Sequence, residues 1–290
     1  MTRLADRLLV AGVGLIGGSL ALAARAAGLV GEVIGFGRSR ENLELALQRG
    51  VIDRIAIDPA TAMAGVDLIL LATPVASCGP VATALRPHAK PGVILTDAAS
   101  VKRVVVTAME QAWAGGGPVV GGHPIAGSEA YGAGAADADL FRGRRCLLTP
   151  TPQTDPAGLR TVRALWEGVG ARVDELSPAA HDALLARVSH LPHVVAAALT
   201  SAVADVRVDG HAARDFLGSG FRDSTRIAAS RAELWRDIAR ANADALGNAI
   251  DEFRVQLDAL ADAIARDDAA ALEQLFGNAE RARRAIGGLS

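Results

Sequence analysis

Aromatic residues, cysteine and lysine are all scarce in this sequence, and each shortage narrows what the chain can be. Aromatics supply 3% of the 290 residues while hydrophobic residues of every kind supply 50%. With alanine abundant, that composition suits close-packed helices better than a β-sandwich. Cys78 and Cys146 are the only cysteines. They have neither the paired spacing of a zinc site nor the density of a disulfide scaffold, so they read as small buried hydrophobes in a reducing compartment. Lysine occurs only at positions 90 and 102. No charge of one sign prevails: 30 basic against 32 acidic residues leave a formal charge of -2. A positive field that would gather nucleic acid or an anionic membrane is therefore absent, and neither partner is expected.

No targeting signal is expected either. The N-terminus enters an apolar strand and then a glycine turn, with no room for a signal peptide. The apolar stretch 15–30 is glycine-rich and interrupted by Arg25, short of the roughly 20 uninterrupted residues that a membrane span needs. A cytoplasmic location is the resulting expectation.

What is present divides into two patterns. The length exceeds a usual single core of roughly 100 to 150 residues, which favours two domains. Short apolar, β-rich runs recur at 8–11, 33–36, 68–72, 93–96, 119–121, 146–149 and 172–176, separated by helical stretches. That alternation predicts an α/β Rossmann-type, doubly wound domain over 1–177 with mostly parallel strands. After Ser177-Pro178, a helix-start signal, the strand pattern gives way to helical segments at 179–207, 211–218, 224–229, 231–265 and 268–286. An all-α C-terminal domain over 178–290 is expected. Its apolar helix faces fit burial on one another or across a homodimer interface.

The first chemical motif is Gly12-Val13-Gly14-Leu15-Ile16-Gly17. A lone GxGxxG is weak, but this one follows a predicted strand, opens a helix and sits in a βαβ unit. Gly12 serves the tight turn, Gly14 lets backbone approach a pyrophosphate, and Gly17 allows close helix packing; the N–H groups of Leu15 and Ile16 lie at the positive helix end. Where an acid would hold a ribose 2′-hydroxyl, the sequence instead reads Arg38-Ser39-Arg40. Guanidinium suits a 2′-phosphate, so the cofactor is NAD or NADP with a lean to NADP. The alternative is that these arginines are solvated loop residues and NAD binds through main chain and water. Thr73-Pro74, closing another strand, is placed to border the dinucleotide.

Two further clusters carry polar groups where strands and helices begin. His123 is the best general-base candidate, because imidazole titrates near neutrality and a hydroxyl losing hydride must also lose its proton. Ser100 could orient it, or could be a helix cap. Lys102 reads equally as a surface residue. In the helical half, Ser189-His190-Leu191-Pro192-His193 and Phe221-Arg222-Asp223-Ser224-Thr225-Arg226 precede Trp235. His190 and His193 lack an HExxH pattern or a companion cysteine cluster, so no metal is expected and carbonyl or anion recognition is more economical. Arg226, and less so Arg222, suits a carboxylate clamp.

Taken with Asp97 to Lys102 and with Gly122-His123-Pro124-Ile125-Ala126-Gly127-Ser128-Glu129, these stretches resemble the prephenate dehydrogenase family, including arogenate and cyclohexadienyl dehydrogenases of tyrosine biosynthesis. The resemblance covers nearly the whole chain. It implies a nucleotide domain, a helical dimerisation domain, and oxidative decarboxylation of prephenate or arogenate to 4-hydroxyphenylpyruvate or tyrosine, with hydride passing to NAD(P). By the same resemblance His123 removes the ring-hydroxyl proton, Ser100 supports it, and Arg226 binds a substrate carboxylate. His193, Glu129 and Ser128 would shape access or substrate binding. No regulatory extension is apparent, so tyrosine feedback would have to act at the active site.

Two other readings keep the same fold. A β-hydroxyacid dehydrogenase shares the architecture, but that chemistry relies on a lysine in the helical half, and no lysine follows position 102. A noncatalytic dinucleotide-sensing protein would have no use for both His123 and Arg226.

Overall fold

The structure is a computed structural model that describes residues 3–127 and 130–287. It forms two compact units, Met1–Asn242 and Ala243–Ser290.

In the first unit, eight strands build one sheet: β1 (Ala5–Ala11), β2 (Val30–Phe36), β3 (Arg54–Ile55), β4 (Leu68–Leu71), β5 (Ile94–Asp97), β6 (Val119–Pro124), β7 (Arg145–Thr149) and β8 (Arg172–Glu175). Their order is β3-β2-β1-β4-β5-β6-β7-β8. The first six are parallel, β7 runs antiparallel to β6, and β8 is parallel to β7. Chain order reverses between β1 and β4, and ligands of open α/β sheets settle in the crevice beyond the carboxyl ends of strands at such a point.

Successive side chains of a strand point to opposite faces. Leu8 and Val10 of β1 join one buried cluster, with Leu20, Leu148 and Trp166, while Leu9 and Ala11 join another, with Ile69, Met109 and Trp113. Both faces of the sheet are thus covered, which is why its central strands read as continuous apolar runs. Full burial of a leucine such as Leu8 or Leu9 contributes about 1.5–3 kcal/mol. The covering helices are α1 (Leu15–Ala26), α2 (Arg40–Gln48), α3 (Pro59–Met63), α4 (Cys78–Leu85), α5 (Arg103–Ala112) and α6 (Pro156–Gly168). Cys78 and Cys146 are buried free thiols, and burial pushes that of Cys78 up to about 11.

Two sheet features differ from the sequence pattern. β3 is only two residues long and leaves no alternation to detect. β6 continues through His123 and Pro124, because Gly121 to Pro124 pair with Thr149 to Cys146 of β7; His123 therefore sits on a strand rather than in a loop.

Beyond the sheet, Ser177 caps α7 (Pro178–Leu185) by accepting from the Ala180 N–H at 3.1 Å. A π turn over Ala186–His190 leads into α8 (Leu191–Val203). The expected uninterrupted helix is widened there because Pro192 lacks an N–H and its ring crowds the preceding turn. A short ladder of β9 (Arg207–Val208) and β10 (His211–Ala212) follows, joined by Asp209-Gly210 with φ of 50° and 82°. Asp-Gly is the preferred pair for such a two-residue hairpin. The segment expected as a helix over 211–218 is accordingly strand and a 3-10 turn. Then come α9 (Ser219–Thr225), a 3-10 turn over Arg226–Ala229, and α10 (Ala232–Ala241).

The second unit is a helical hairpin, α11 (Ala243–Ala265) and α12 (Ala269–Gly287). Asp267, with φ of 51°, makes the turn, and Asp268 caps α12 through the Ala271 N–H at 3.0 Å. Val255, Leu257 and Phe276 are exposed on it. The expected single helix over 231–265 is broken at Asn242, whose φ and ψ of -118° and 31° leave the helical region. In the first unit, the run Pro178–Val203 is long and apolar enough by composition to cross a bilayer, and 22% of its apolar window is buried within the chain.

Candidate active site

The glycine turn closes β1 at the crevice. Gly12 has φ +95°, and a Cβ there would lie 2.4 Å from the Ala72 carbonyl oxygen. A Cβ on Gly17 would meet the Gly12 carbonyl oxygen at 2.3 Å. A Cβ on Gly14 would meet nothing within 4 Å. Two glycines are thus required by close packing, whereas the middle one leaves open space at the start of α1. No side chain caps that helix, so the first-turn N–H groups at Leu15 and Ile16, which have no intrahelical partner, are available to an anion. The cradle fits a dinucleotide pyrophosphate. Thr73 packs its backbone against Gly12 and places its hydroxyl 3.6 Å from the Cys78 sulfur; Pro74 next to it is exposed.

At the end of β2 the three polar residues part company. Ser39 caps α2 by accepting from the Asn42 N–H at 3.2 Å, and Arg40 pairs with Glu44 at 2.7 Å. Arg38 is exposed. Asn42, which the sequence did not single out, ties the glycine turn to the chain after β6: its Nδ2 donates to the Val13 carbonyl at 2.7 Å, and its Oδ1 accepts from the Ala133 N–H at 2.8 Å.

A buried ionic frame holds the carboxyl ends of β5 and β6. Asp97 and Lys102 are both fully buried and form an ion pair. Asp97 also accepts from the N–H groups of Ala99 at 2.9 Å and Gly122 at 3.0 Å, and Lys102 donates to the Gly122 carbonyl at 2.7 Å. The surface reading of Lys102 is thereby corrected. The N–H groups of Lys102 and Arg103, at the start of α5, are taken at 2.7 and 2.9 Å by the carboxylate of Asp182 on α7. Ser100 consequently is not the cap of that helix, whose N-cap position is Lys102. Ser100 is half-buried at the carboxyl end of β5, and its hydroxyl makes no hydrogen bond to His123.

His123 is half-buried on β6, with Nδ1 2.8 Å from Nε2 of the buried His181. His181 Nδ1 lies in turn 2.8 Å from Oδ1 of Asp182. Desolvation first, then repulsion from the Lys102 charge and from His181 and His190 whenever these carry a proton, hold the His123 imidazole well below the usual histidine range. It is neutral at pH 7, as a base must be. His181 is also lowered, by burial first and by Lys102, against the opposing pull of Asp182. Burial raises Asp182, but the hydrogen bonds from His181, Lys102 and Arg103 outweigh it and hold the carboxyl below its ordinary value.

The helical part contributes a second cluster. His190 is buried on the π turn, where Asn242 Nδ2 is 3.2 Å from its Nδ1 and donates to the Asp182 carbonyl at 2.9 Å. Asn242 makes these contacts from the break between α10 and α11. His193 points its Nδ1 to the Ser189 carbonyl at 3.0 Å and stacks on Trp235 with ring centroids 3.6 Å apart. Burial lowers the pKa of His193, and the charge of Arg226 lowers it further, which puts that guanidinium within electrostatic reach of the ring. Arg226 is exposed at the end of α9, as is Arg222 within it. Ser128 and Glu129 lie outside the described residues. Among the described residues no group of His, Cys, Asp and Glu is placed to hold a metal ion.

Two family models match this chain: the prephenate dehydrogenase nucleotide-binding domain over residues 20–175 and the prephenate dehydrogenase dimerization domain over residues 177–278. The chain belongs to the prephenate dehydrogenase family. Prephenate dehydrogenase of Bacillus subtilis (strain 168) is 34% identical over 97% of this chain and 76% of its own length. Cyclohexadienyl dehydrogenase of Zymomonas mobilis is 34% identical over 96% and 94%. The crystal structure of Aquifex aeolicus prephenate dehydrogenase in complex with hydroxyphenyl propionate and NAD+ superposes with a TM-score of 0.92 at 33% identity, covering 97% of this chain and 98% of that one. As in that family, a nucleotide-binding sheet domain here precedes a helical one.

Removing one partner of the buried pair leaves an uncompensated charge. Lys102→Met should therefore destabilise the first unit by about 3–5 kcal/mol, measured by denaturant unfolding, and Asp97→Asn in the same chain should recover part of the loss. An unchanged midpoint for Lys102→Met would contradict the frame.

Proposed function

We propose that the chain oxidatively decarboxylates prephenate, or its alanyl counterpart arogenate, with hydride transfer to a nicotinamide cofactor in tyrosine biosynthesis. The observation that carries this reading is a neutral His123 on β6, at the same carboxyl edge of the sheet as the glycine cradle, in a chain of this family. The β-hydroxyacid alternative has no lysine where its chemistry needs one, since Lys102 is consumed by Asp97.

Gly12, Gly14 and Gly17, with the amides of Leu15 and Ile16, would hold the pyrophosphate, and Thr73 and Pro74 would border the dinucleotide. The nicotinamide, when bound, supplies the hydride acceptor. His123 removes the proton of the ring hydroxyl as hydride leaves the same carbon, and by family resemblance Ser100 supports that step without a hydrogen bond to His123 in this structure. Loss of the ring carboxylate as carbon dioxide returns its electron pair to the ring and makes it aromatic. The chemistry is downhill, so the protein has chiefly to orient donor, base and carboxylate. Arg226 binds the side-chain carboxylate by charge-assisted hydrogen bonds, and His193, braced by Trp235, lines the same place. Glu129 and Ser128 complete the set by family resemblance.

The finer assignments rest on single features. Arg38, the basic residue left over after Ser39 and Arg40 find local partners, supports a lean to NADP over NAD. We place the working boundary between the dinucleotide-binding part, 1–177, and the substrate-binding and dimerisation part, 178–290. The match to a dimerization domain and the exposed Val188 and Leu199 support a homodimer in which helical apolar surface is buried between subunits. Two free thiols support a cytoplasmic location.

The deciding experiment follows reduced cofactor with prephenate and arogenate, each against NAD and NADP; no turnover with any pair would overturn the assignment. Arg38→Ala should lower kcat/KM for NADP by about 10–100-fold, the factor carried by a charged hydrogen bond of roughly 1.5–3 kcal/mol, and leave NAD use unchanged. Equal losses with both cofactors would remove Arg38 from the site. His123→Asn should lower kcat by ~10²–10⁴, the range of a positioned general base. Because the base must be deprotonated and its pKa is depressed, the acid limb of kcat/KM should fall below pH 6.5; a limb at or above that value contradicts the neutral imidazole. With the Arg226–carboxylate pair desolvated by bound substrate, Arg226→Ala should cost roughly 2–5 kcal/mol in kcat/KM with cofactor affinity retained. An unchanged KM would return Arg226 to the surface.

A further inference from the structure

A neutral imidazole serves as a base only through the nitrogen that lacks a hydrogen, and the resting structure decides which nitrogen of His123 that is. We infer that His181 and Asp182 are positioning residues that lock His123 in its Nδ1–H tautomer and so present the Nε2 lone pair to the substrate hydroxyl. This rests on the reading of His123 as the base.

The argument is one of hydrogen-bond parity. An ionised carboxylate only accepts. Asp182 Oδ1 lies 2.8 Å from His181 Nδ1, so the hydrogen of that contact is on His181. A neutral ring has one N–H, which leaves His181 Nε2 bare. His123 Nδ1, 2.8 Å away, must then be the donor. Free neutral histidine favours the opposite tautomer, so the arrangement has to be imposed. Asp182 is itself fixed, because the first amides of α5 occupy its oxygens at 2.7 and 2.9 Å. His181 is fully buried and acts through His123 rather than on a ligand.

The groups facing His181 keep the chain neutral at rest. His123 Nδ1 and Asp182 Oδ1 contact its two ring nitrogens, and Lys102, with Asp97 as its counter-ion, and His190 act on it electrostatically. During the reaction the chain also gives the abstracted proton a second position. As His123 Nε2 gains it, the Nδ1 hydrogen can cross to His181 Nε2. His123 is then neutral again, and the positive charge rests on His181 beside the Asp182 carboxylate.

His181→Leu, His181→Gln and His123→Asn, each in the full-length protein, test the inference. Glutamine keeps the parity, since its amide N–H donates to Asp182 while its oxygen accepts from His123; leucine removes both. His181→Leu should lower kcat about 100-fold or more with KM for the cyclohexadienyl substrate within about threefold. His181→Gln should stay within about tenfold of the natural protein. The inference is overturned if the two His181 variants lose activity equally, or if His181→Gln melts like the natural protein yet loses about 100-fold. It is also overturned if His181→Leu retains activity while His123→Asn does not. If His123→Asn retains activity, the base assignment itself fails and this inference falls with it, a result separable from the other three.

Discussion

The buried pair of Asp97 and Lys102 is the constraint on which the active-site geometry depends. An ion pair out of water is costly unless its remaining hydrogen-bonding capacity is met. Here Asp97 takes the amides of Ala99 and Gly122, and Lys102 gives to the Gly122 carbonyl. Gly122 is thus held through both its N–H and its carbonyl, and the residue after it is His123. The position of the candidate base is set by a contact that does not include it.

The same frame reaches the helical part of the first unit. The backbone that begins α5 hands its amides to Asp182, and Asp182 orients His181, which touches His123. Asn242 then links the Asp182 carbonyl to His190. Sheet and helices therefore meet through one continuous polar network in an otherwise apolar interior. Such a network specifies one arrangement where its members are satisfied, as the carboxylates of Asp97 and Asp182 are. His190 Nε2 and Trp235 Nε1 are buried atoms without a hydrogen-bond partner among the described residues, and Trp235 is the ring on which His193 stacks.

The strands and glycine turn were legible in the sequence because burial on both faces writes itself as apolar runs, and a tight turn writes itself as glycine. Gly12 and Gly17 are needed for packing visible in the motif spacing. The Asp209-Gly210 hairpin carried its own signal and was hidden by the helical composition around it. His181 left no local trace, being 58 residues from His123; a pairing made by tertiary packing has no spacing to recognise. Lys102 looked like any lysine near a helix start until the fold enclosed it. Ser100 looked like a cap for the same helix, but the amides it would have bound are taken by a carboxylate from 80 residues away.

The central claim is that this network delivers His123 as a neutral base with Nε2 open. Nitrogen-15 NMR of the histidine rings, with His123 assigned by its absence in a variant, reads both protonation state and tautomer in one spectrum. The account predicts a neutral ring protonated on Nδ1 at pH 7. A ring protonated on Nε2, or an imidazolium, at that pH would contradict it.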